Sequence, residues 1–215
     1  MKTSETGNIR AIAFDFDGTI VDSMRAFASI ASRVMPRHYA IDTETARQKY
    51  IETSGLPFFQ QLEVIFPGNP ANAYAAEEYE KAKLEGYFRE PLFDDAAETI
   101  AHLRQHGIRT AVSSNNFQHL VENFVTRAGV EFDMVLGFKP GFAKGRDHFC
   151  HIEHELDVSR DAMVFVGDSM KDGERALDYG IKFIAKEGTF TREQFAAKFP
   201  NTTVIANLAE LKTFF

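Results

Sequence analysis

Short apolar runs alternate along the chain with stretches whose apolar residues recur every three or four positions. The run at 9–14 is apolar but for one residue, the pattern of a strand covered on both faces, and 109–113, 134–136, 162–166, 181–184 and 203–205 read as further strands. Helical periods at 95–106, 117–128, 147–156, 173–179 and 192–198 fall between them. Strand and helix in turn predict an α/β fold built on a parallel sheet. Gly107 sits where a glycine ends a helix, directly ahead of a strand.

The interval from Val21 to Pro91 breaks this rhythm. It carries helical patterns at 26–35, 43–53, 58–66 and 71–88 and no convincing strand. Gly55-Leu56-Pro57 and Pro67-Gly68-Asn69-Pro70 punctuate it as turns. The expected organisation is an α/β core made of 1–20 and 92–215, with an all-helical module, 21–91, inserted after the first strand. The linkers fall near Val21–Ser23 and Glu90–Phe93.

The candidate chemistry begins where the first strand ends, in Phe14-Asp15-Phe16-Asp17-Gly18-Thr19-Ile20. Open α/β sheets place their ligands at the carboxyl ends of strands, and two carboxylates two residues apart stand at that end here. Gly18 permits a sharp turn and a close approach to the backbone. One carboxylate can attack phosphorus while its neighbour handles protons. An Asp-Gly pair by itself would be an ordinary turn.

The string DFDGTI resembles the first motif of the haloacid dehalogenase superfamily, whose phosphatase members carry D-x-D-G-T. The resemblance demands a Ser or Thr at the end of the next core strand, and Ala111-Val112-Ser113-Ser114-Asn115 offers it. Ser114 with the amide of Asn115 would hold a phosphate oxygen, and Ser113 is the competing position. It demands a lysine ahead of an acidic fourth motif. Lys144 fits the spacing, although the Lys-Pro pair common in the family occurs here at Lys139. The fourth motif is met by Gly167-Asp168-Ser169-Met170-Lys171-Asp172. As a bare sequence, Asp172 would read equally well as the cap of a helix.

What the resemblance implies is a Rossmann-like parallel sheet with a small helical cap, and a phosphatase that works through an aspartyl-phosphate. Asp15 would be nucleophile and Mg²⁺ ligand. Asp17 would be general acid and base, its main-chain carbonyl a further ligand. Asp168 would ligate the ion, and Asp172 would ligate it or hold its ligands. Hard oxygen donors of this kind suit Mg²⁺. Lys144, Ser114 and the loop amides at Gly18 and Thr19 would offset charge on the phosphoryl group. The turn containing Gly55 lies about where relatives carry a substrate-specificity loop, and reads equally as an interhelical turn.

Bulk properties narrow the partners. The 215 residues carry a net charge of -7 and a sequence pI of about 5.5, which gives no pull toward nucleic acid or an anionic membrane. Cys150 is the single cysteine, so no internal disulfide is possible. The 21 phenylalanines read as core packing. No leader or membrane span is legible in the sequence, and the expected setting is the cytoplasm with a small phosphorylated metabolite as substrate. His148, His151 and His154 share part of one helix face and read as a solvated surface. Sugar-phosphate mutases and phosphonoacetaldehyde hydrolases are similar alternatives, the latter needing a cap lysine for which Lys49 is the candidate. A regulatory protein on the same scaffold would be expected to lack one of the motifs.

Overall fold

The computed structural model describes residues 9–215; most of the N-terminal stretch read above for a leader lies outside them. Six strands, β1 (Ala11–Phe14), β2 (Arg109–Phe117), β3 (Met134–Phe138), β4 (Met163–Gly167), β5 (Lys182–Lys186) and β6 (Thr203–Ile205), form one sheet in the order β3-β2-β1-β4-β5-β6. Every pairing is parallel. Phe14 lies in register with Val112 on one side and Val166 on the other. All residues of β1 and β4 are buried, as expected of central strands covered on both faces. The chain reverses its direction of growth between β1 and β4, and that reversal opens a crevice at the carboxyl ends of the two strands.

The chain divides into two compact units, one formed by the residues up to Val21 with Leu92–Phe215, the other by Asp22–Pro91. In the first, α5 (Ala96–Gln105), α6 (Gln118–Ala128), α7 (Arg146–Glu155), α8 (Met170–Tyr179) and α9 (Arg192–Lys198) alternate with the strands. Its core is aromatic. The ring of Phe149 lies 4.9 Å from that of Phe165 and 5.6 Å from that of Tyr179, and Phe183, Phe195 and Phe199 join the same cluster.

The second unit holds α1 (Met24–His38), α2 (Thr43–Glu52), α3 (Phe58–Ile65) and α4 (Asn72–Gly86), followed by a short 3-10 turn at Tyr87–Arg89. Phe58 stacks on Tyr79 at 3.9 Å, and the hydroxyls of Tyr50 and Tyr79 meet at 2.8 Å. The turn between α2 and α3 is braced by Gln61, which accepts from the Thr53 hydroxyl and donates to the Leu56 carbonyl, both at 2.9 Å. At the ends of this unit the Asp22 amide donates to the Pro91 carbonyl at 2.9 Å. Among the described residues no helix is long and apolar enough to cross a membrane.

Two elements start or stop away from their sequence pattern for identifiable reasons. Helix α8 begins at Met170 rather than 173 because Ser169 and Asp172 form a reciprocal capping box. Strand β2 runs on through Ser114, Asn115 and Asn116 to Phe117, with an irregularity of register against β3 between Ser113 and Phe117. Because Phe149 is fully buried in the aromatic cluster, Phe149→Ala should cost about 3–5 kcal/mol of unfolding free energy. Urea denaturation of both proteins measures it, and a change below about 1 kcal/mol would contradict this account of the core.

Candidate active site

Asp15 follows β1, and its amide donates to the Val166 carbonyl of β4 at 2.8 Å, so the residue is fixed at the crevice by the sheet itself. The loop that follows is tied on its own backbone. Ile20 and Val21 both donate to the Phe16 carbonyl at 2.9 Å, and Gly18 donates to the Val21 carbonyl at 2.8 Å. Gly18 adopts φ +79°, a left-handed conformation that costs glycine little. The buried Thr19 hydroxyl lies 3.4 Å from Asp15 Oδ2.

Asp168 and Asp172 arrive from the end of β4. A Cβ at Gly167 would stand 2.6 Å from Asp172 Cβ, so only glycine at that position lets Asp172 pack against the strand end. Asp172 accepts from the Ser169 hydroxyl at 2.7 Å and amide at 3.2 Å through Oδ2, while its Oδ1 lies 2.6 Å from Lys144 Nζ. One carboxylate thus caps the helix and faces the crevice. Lys144 reaches across to Asp15 Oδ1 at 2.5 Å. Lys139, by contrast, is exposed in a turn closed by mutual backbone bonds with Phe142.

Asp15, Asp168 and Asp172 are all buried, and a ligand oxygen from each lies within 4.8 Å of the others. Such crowding shifts proton affinities. Burial raises the Asp15 carboxyl to about 6, against the lowering effect of Lys144, and Asp172 adds to the rise. Asp168 is raised well above the ordinary carboxylate value by burial, then by Asp15 and Asp172. Burial alone would lower the Lys144 ammonium, but the charges of Asp15 and Asp172 outweigh it and leave the group raised. Three carboxylates against this ammonium leave excess negative charge in a buried space, which a divalent cation would offset. All the donors are hard oxygens. The residues therefore fit a Mg²⁺ ion.

Asp17 is partly exposed and accepts from Asn116 Nδ2 at 2.6 Å. Asn116 and Ser114 are linked in turn, the amide of the former donating to the hydroxyl of the latter at 3.1 Å. Ser113 is engaged elsewhere: its hydroxyl lies 2.9 Å from His148 Nδ1. Successive strand residues face opposite sides, so the two serines point apart. Asn115 stands between them on β2. Gly55, at φ +87°, sits in the turn between α2 and α3 of the helical unit.

Three residues at or near the site carried no motif. Asn116 holds Asp17 although only its neighbour fits the motif. Thr189 donates its hydroxyl to Asp168 Oδ2 from beyond β5. His148 is the third. The solvated-face reading fails for it, since it is fully buried under the ring of Phe142 at 4.6 Å, whereas His154 is exposed. Its alternative was legible only as an i, i+4 apolar stripe with Ile152 on α7.

Burial, then the nearby Lys144 charge, depress His148 to about 3. Unfolded, it would titrate near the ordinary value of about 6.5. Between those two values the unfolded chain binds the extra proton, so His148 withdraws stability as the pH falls. Comparing urea unfolding of the wild type and His148→Gln should show the wild type losing up to about 1.4 kcal/mol more per pH unit between pH 6 and 4. Parallel curves would mean that His148 carries its proton in the folded state.

The chain matches the family model of haloacid dehalogenase-like hydrolases over residues 12–186. It is 25% identical over 197 residues to a phosphoglycolate phosphatase of Synechococcus elongatus, covering 86% of this chain and 87% of the relative. A tyrosine-protein kinase, PtkA of Mycobacterium tuberculosis, is 25% identical over 204 residues, covering 93% of this chain and 69% of the relative. A solved haloacid dehalogenase-like hydrolase from Streptococcus pneumoniae superposes with a TM-score of 0.79 at 19% identity, over 97% of this chain and 99% of that one.

Proposed function

The chain belongs to the haloacid dehalogenase-like hydrolase family, and from that premise we propose that it is a Mg²⁺-dependent phosphatase of small phosphate monoesters, working through an aspartyl-phosphate on Asp15. The observation that carries this reading is the buried cluster of Asp15, Asp168 and Asp172 around Lys144 at the carboxyl ends of β1 and β4. The similarity to a phosphoglycolate phosphatase supports a small anionic metabolite as substrate, and the cytoplasm is the setting that suits it.

In the first step an Asp15 carboxylate oxygen attacks phosphorus. The bond to the leaving oxygen breaks, and Asp17 gives that oxygen its proton. In the second step water attacks the phosphoryl group, Asp17 takes the water's proton, and the Asp15 carboxylate is released with inorganic phosphate. Lys144 keeps Asp15 anionic against the burial that raises it, and Thr19 and Ser114 offer hydroxyl donors for phosphoryl oxygens. Asn116 holds the Asp17 carboxylate in one orientation, which a residue that must give and take a proton at one place requires. Asp15, Asp168, Asp172 and the Asp17 main-chain carbonyl are the groups that would hold the ion. Mg²⁺ bound there supplies positive charge for the transferring phosphoryl group. Lys139, exposed in its turn, has no part in the reaction.

Asp15→Asn keeps the shape of the side chain and removes the attacking charge. Turnover of p-nitrophenyl phosphate should fall at least roughly a thousandfold while the thermal unfolding midpoint stays close to that of the wild type. Near-normal turnover would assign the nucleophile to another residue.

Treatment with a chelator should abolish activity, and Mg²⁺ should restore it. Ca²⁺ should restore it poorly, since its coordination is larger and looser. Added Mg²⁺ should also raise the unfolding midpoint of the wild type and leave that of Asp168→Asn nearly unmoved. An enzyme active after chelation would rule out the metal roles given to Asp15 and Asp168.

A further inference from the structure

Lys186 ends β5 at a position where its neighbours on the strand, Phe183, Ile184 and Ala185, are all buried and apolar. Its side chain is buried too, with 3% of the residue exposed. The ammonium donates to the Gly18 carbonyl at 3.3 Å and to the Glu187 carbonyl at 3.4 Å, and it stands 3.5 Å from the centroid of the Phe93 ring. We propose that Lys186 is a positioning residue of the reaction, which holds the Gly18–Thr19 peptide and through it sets Thr19 against Asp15. This inference rests on the phosphatase reading of the same site.

The argument starts from cost. Taking an ammonium out of water is expensive, and a methionine would fill the same space without that penalty. The charge is therefore doing something the packing does not need. Gly18 shows what. With no side chain and φ +79°, its peptide has wide freedom to rotate. The Gly18 amide is held by the Val21 carbonyl at 2.8 Å, and its carbonyl is held by Lys186. The other end of that same peptide and the side chain after it make longer contacts: the Thr19 amide lies 3.4 Å from the Phe16 carbonyl, and the Thr19 hydroxyl 3.4 Å from Asp15 Oδ2. At such separations neutral hydrogen bonds hold weakly, whereas a charged donor keeps much of its pull on a carbonyl dipole.

Two effects on the reaction follow. Fixing the carbonyl fixes the plane of the Gly18–Thr19 peptide, and so the placement of Thr19 beside the nucleophile. The ammonium also polarises that peptide, which makes the Thr19 N–H a stronger donor. Phe93, whose amide donates to the Ile20 carbonyl at 3.0 Å, offers its ring face to the cation and keeps the ammonium aimed at the loop. Lys144 touches Asp15; Lys186 acts one peptide away from it.

The test compares wild type, K186M and K186R. K186M should lower kcat for p-nitrophenyl phosphate by roughly tenfold to a hundredfold, with KM changed by less than about threefold. K186R, which can still donate to the carbonyl, should recover most of the loss. Hydrogen exchange followed by mass spectrometry on metal-free protein should show faster exchange in the peptide spanning 16–21 of K186M, with exchange in β1 and β4 unchanged and the unfolding midpoint maintained. A kcat within twofold of the wild type with unchanged exchange at 16–21 would overturn the proposal. So would a lowered midpoint with faster exchange throughout the sheet, since Lys186 would then be part of the packing alone. If the wild type itself turns over no phosphate ester, the phosphatase reading fails, and the exchange comparison still decides whether Lys186 holds the loop.

Discussion

One ammonium holds the crevice together. Lys144 lies 2.5 Å from Asp15 and 2.6 Å from Asp172, and without it three buried carboxylates would face one another with little to offset their repulsion. Buried carboxylates forced together respond by holding protons: burial first, and mutual repulsion after it, raise Asp15 and Asp168. A protonated carboxyl is a poor nucleophile, so in the mechanism proposed above the lysine keeps Asp15 reactive at neutral pH. Its placement depends on the remainder of the molecule. The sheet order brings β1 beside β4, the absent side chain at Gly167 makes room for Asp172, and the start of α8 turns that carboxylate toward the crevice. Arg175 Nη1, 3.7 Å from the same Asp172 oxygen, adds positive charge.

The α/β class and the inserted helices were readable because burial on both faces leaves long apolar runs, and amphipathic helices leave a period. The order of the strands was not readable, since nothing local in the Asp168 segment says that it lies beside Asp15. Only the spacing that the family resemblance demands points to Lys144, and its contact with Asp15 needs the fold to bring together residues far apart in sequence. Asn116 and Thr189 were invisible for the same reason: a polar residue at a strand end or in a loop carries no mark of the distant carboxylate it will meet. His148 was misread because three histidines on one helix look alike until packing buries one and leaves His154 in solvent. Asp172 offered two readings, helix cap and site carboxylate, which proved compatible because its two oxygens point in different directions.

The buried cations Lys144 and Lys186 illustrate two uses of a charge that burial makes expensive. The first meets carboxylates directly. The second meets backbone carbonyls and a ring face, where the gain is smaller per contact and lies in fixing a flexible glycine peptide. Both stand close to the segment 15–19, which concentrates the electrostatic design of this protein in one loop.

The hydrogen bond between the Asp22 amide and the Pro91 carbonyl has a consequence for how the chain is assembled. With Val21 also bridged to Leu92, everything between them leaves and re-enters the α/β unit at a single point. To the strands, the helical unit is a detour whose two ends coincide. The entropy of closing such a detour grows only with the logarithm of its length, so lengthening or shortening the excursion barely alters the cost to the sheet. What the sheet requires is that the ends meet. The helices between them are therefore free to change in number and sequence while the carboxylate cluster stays where β1 and β4 put it.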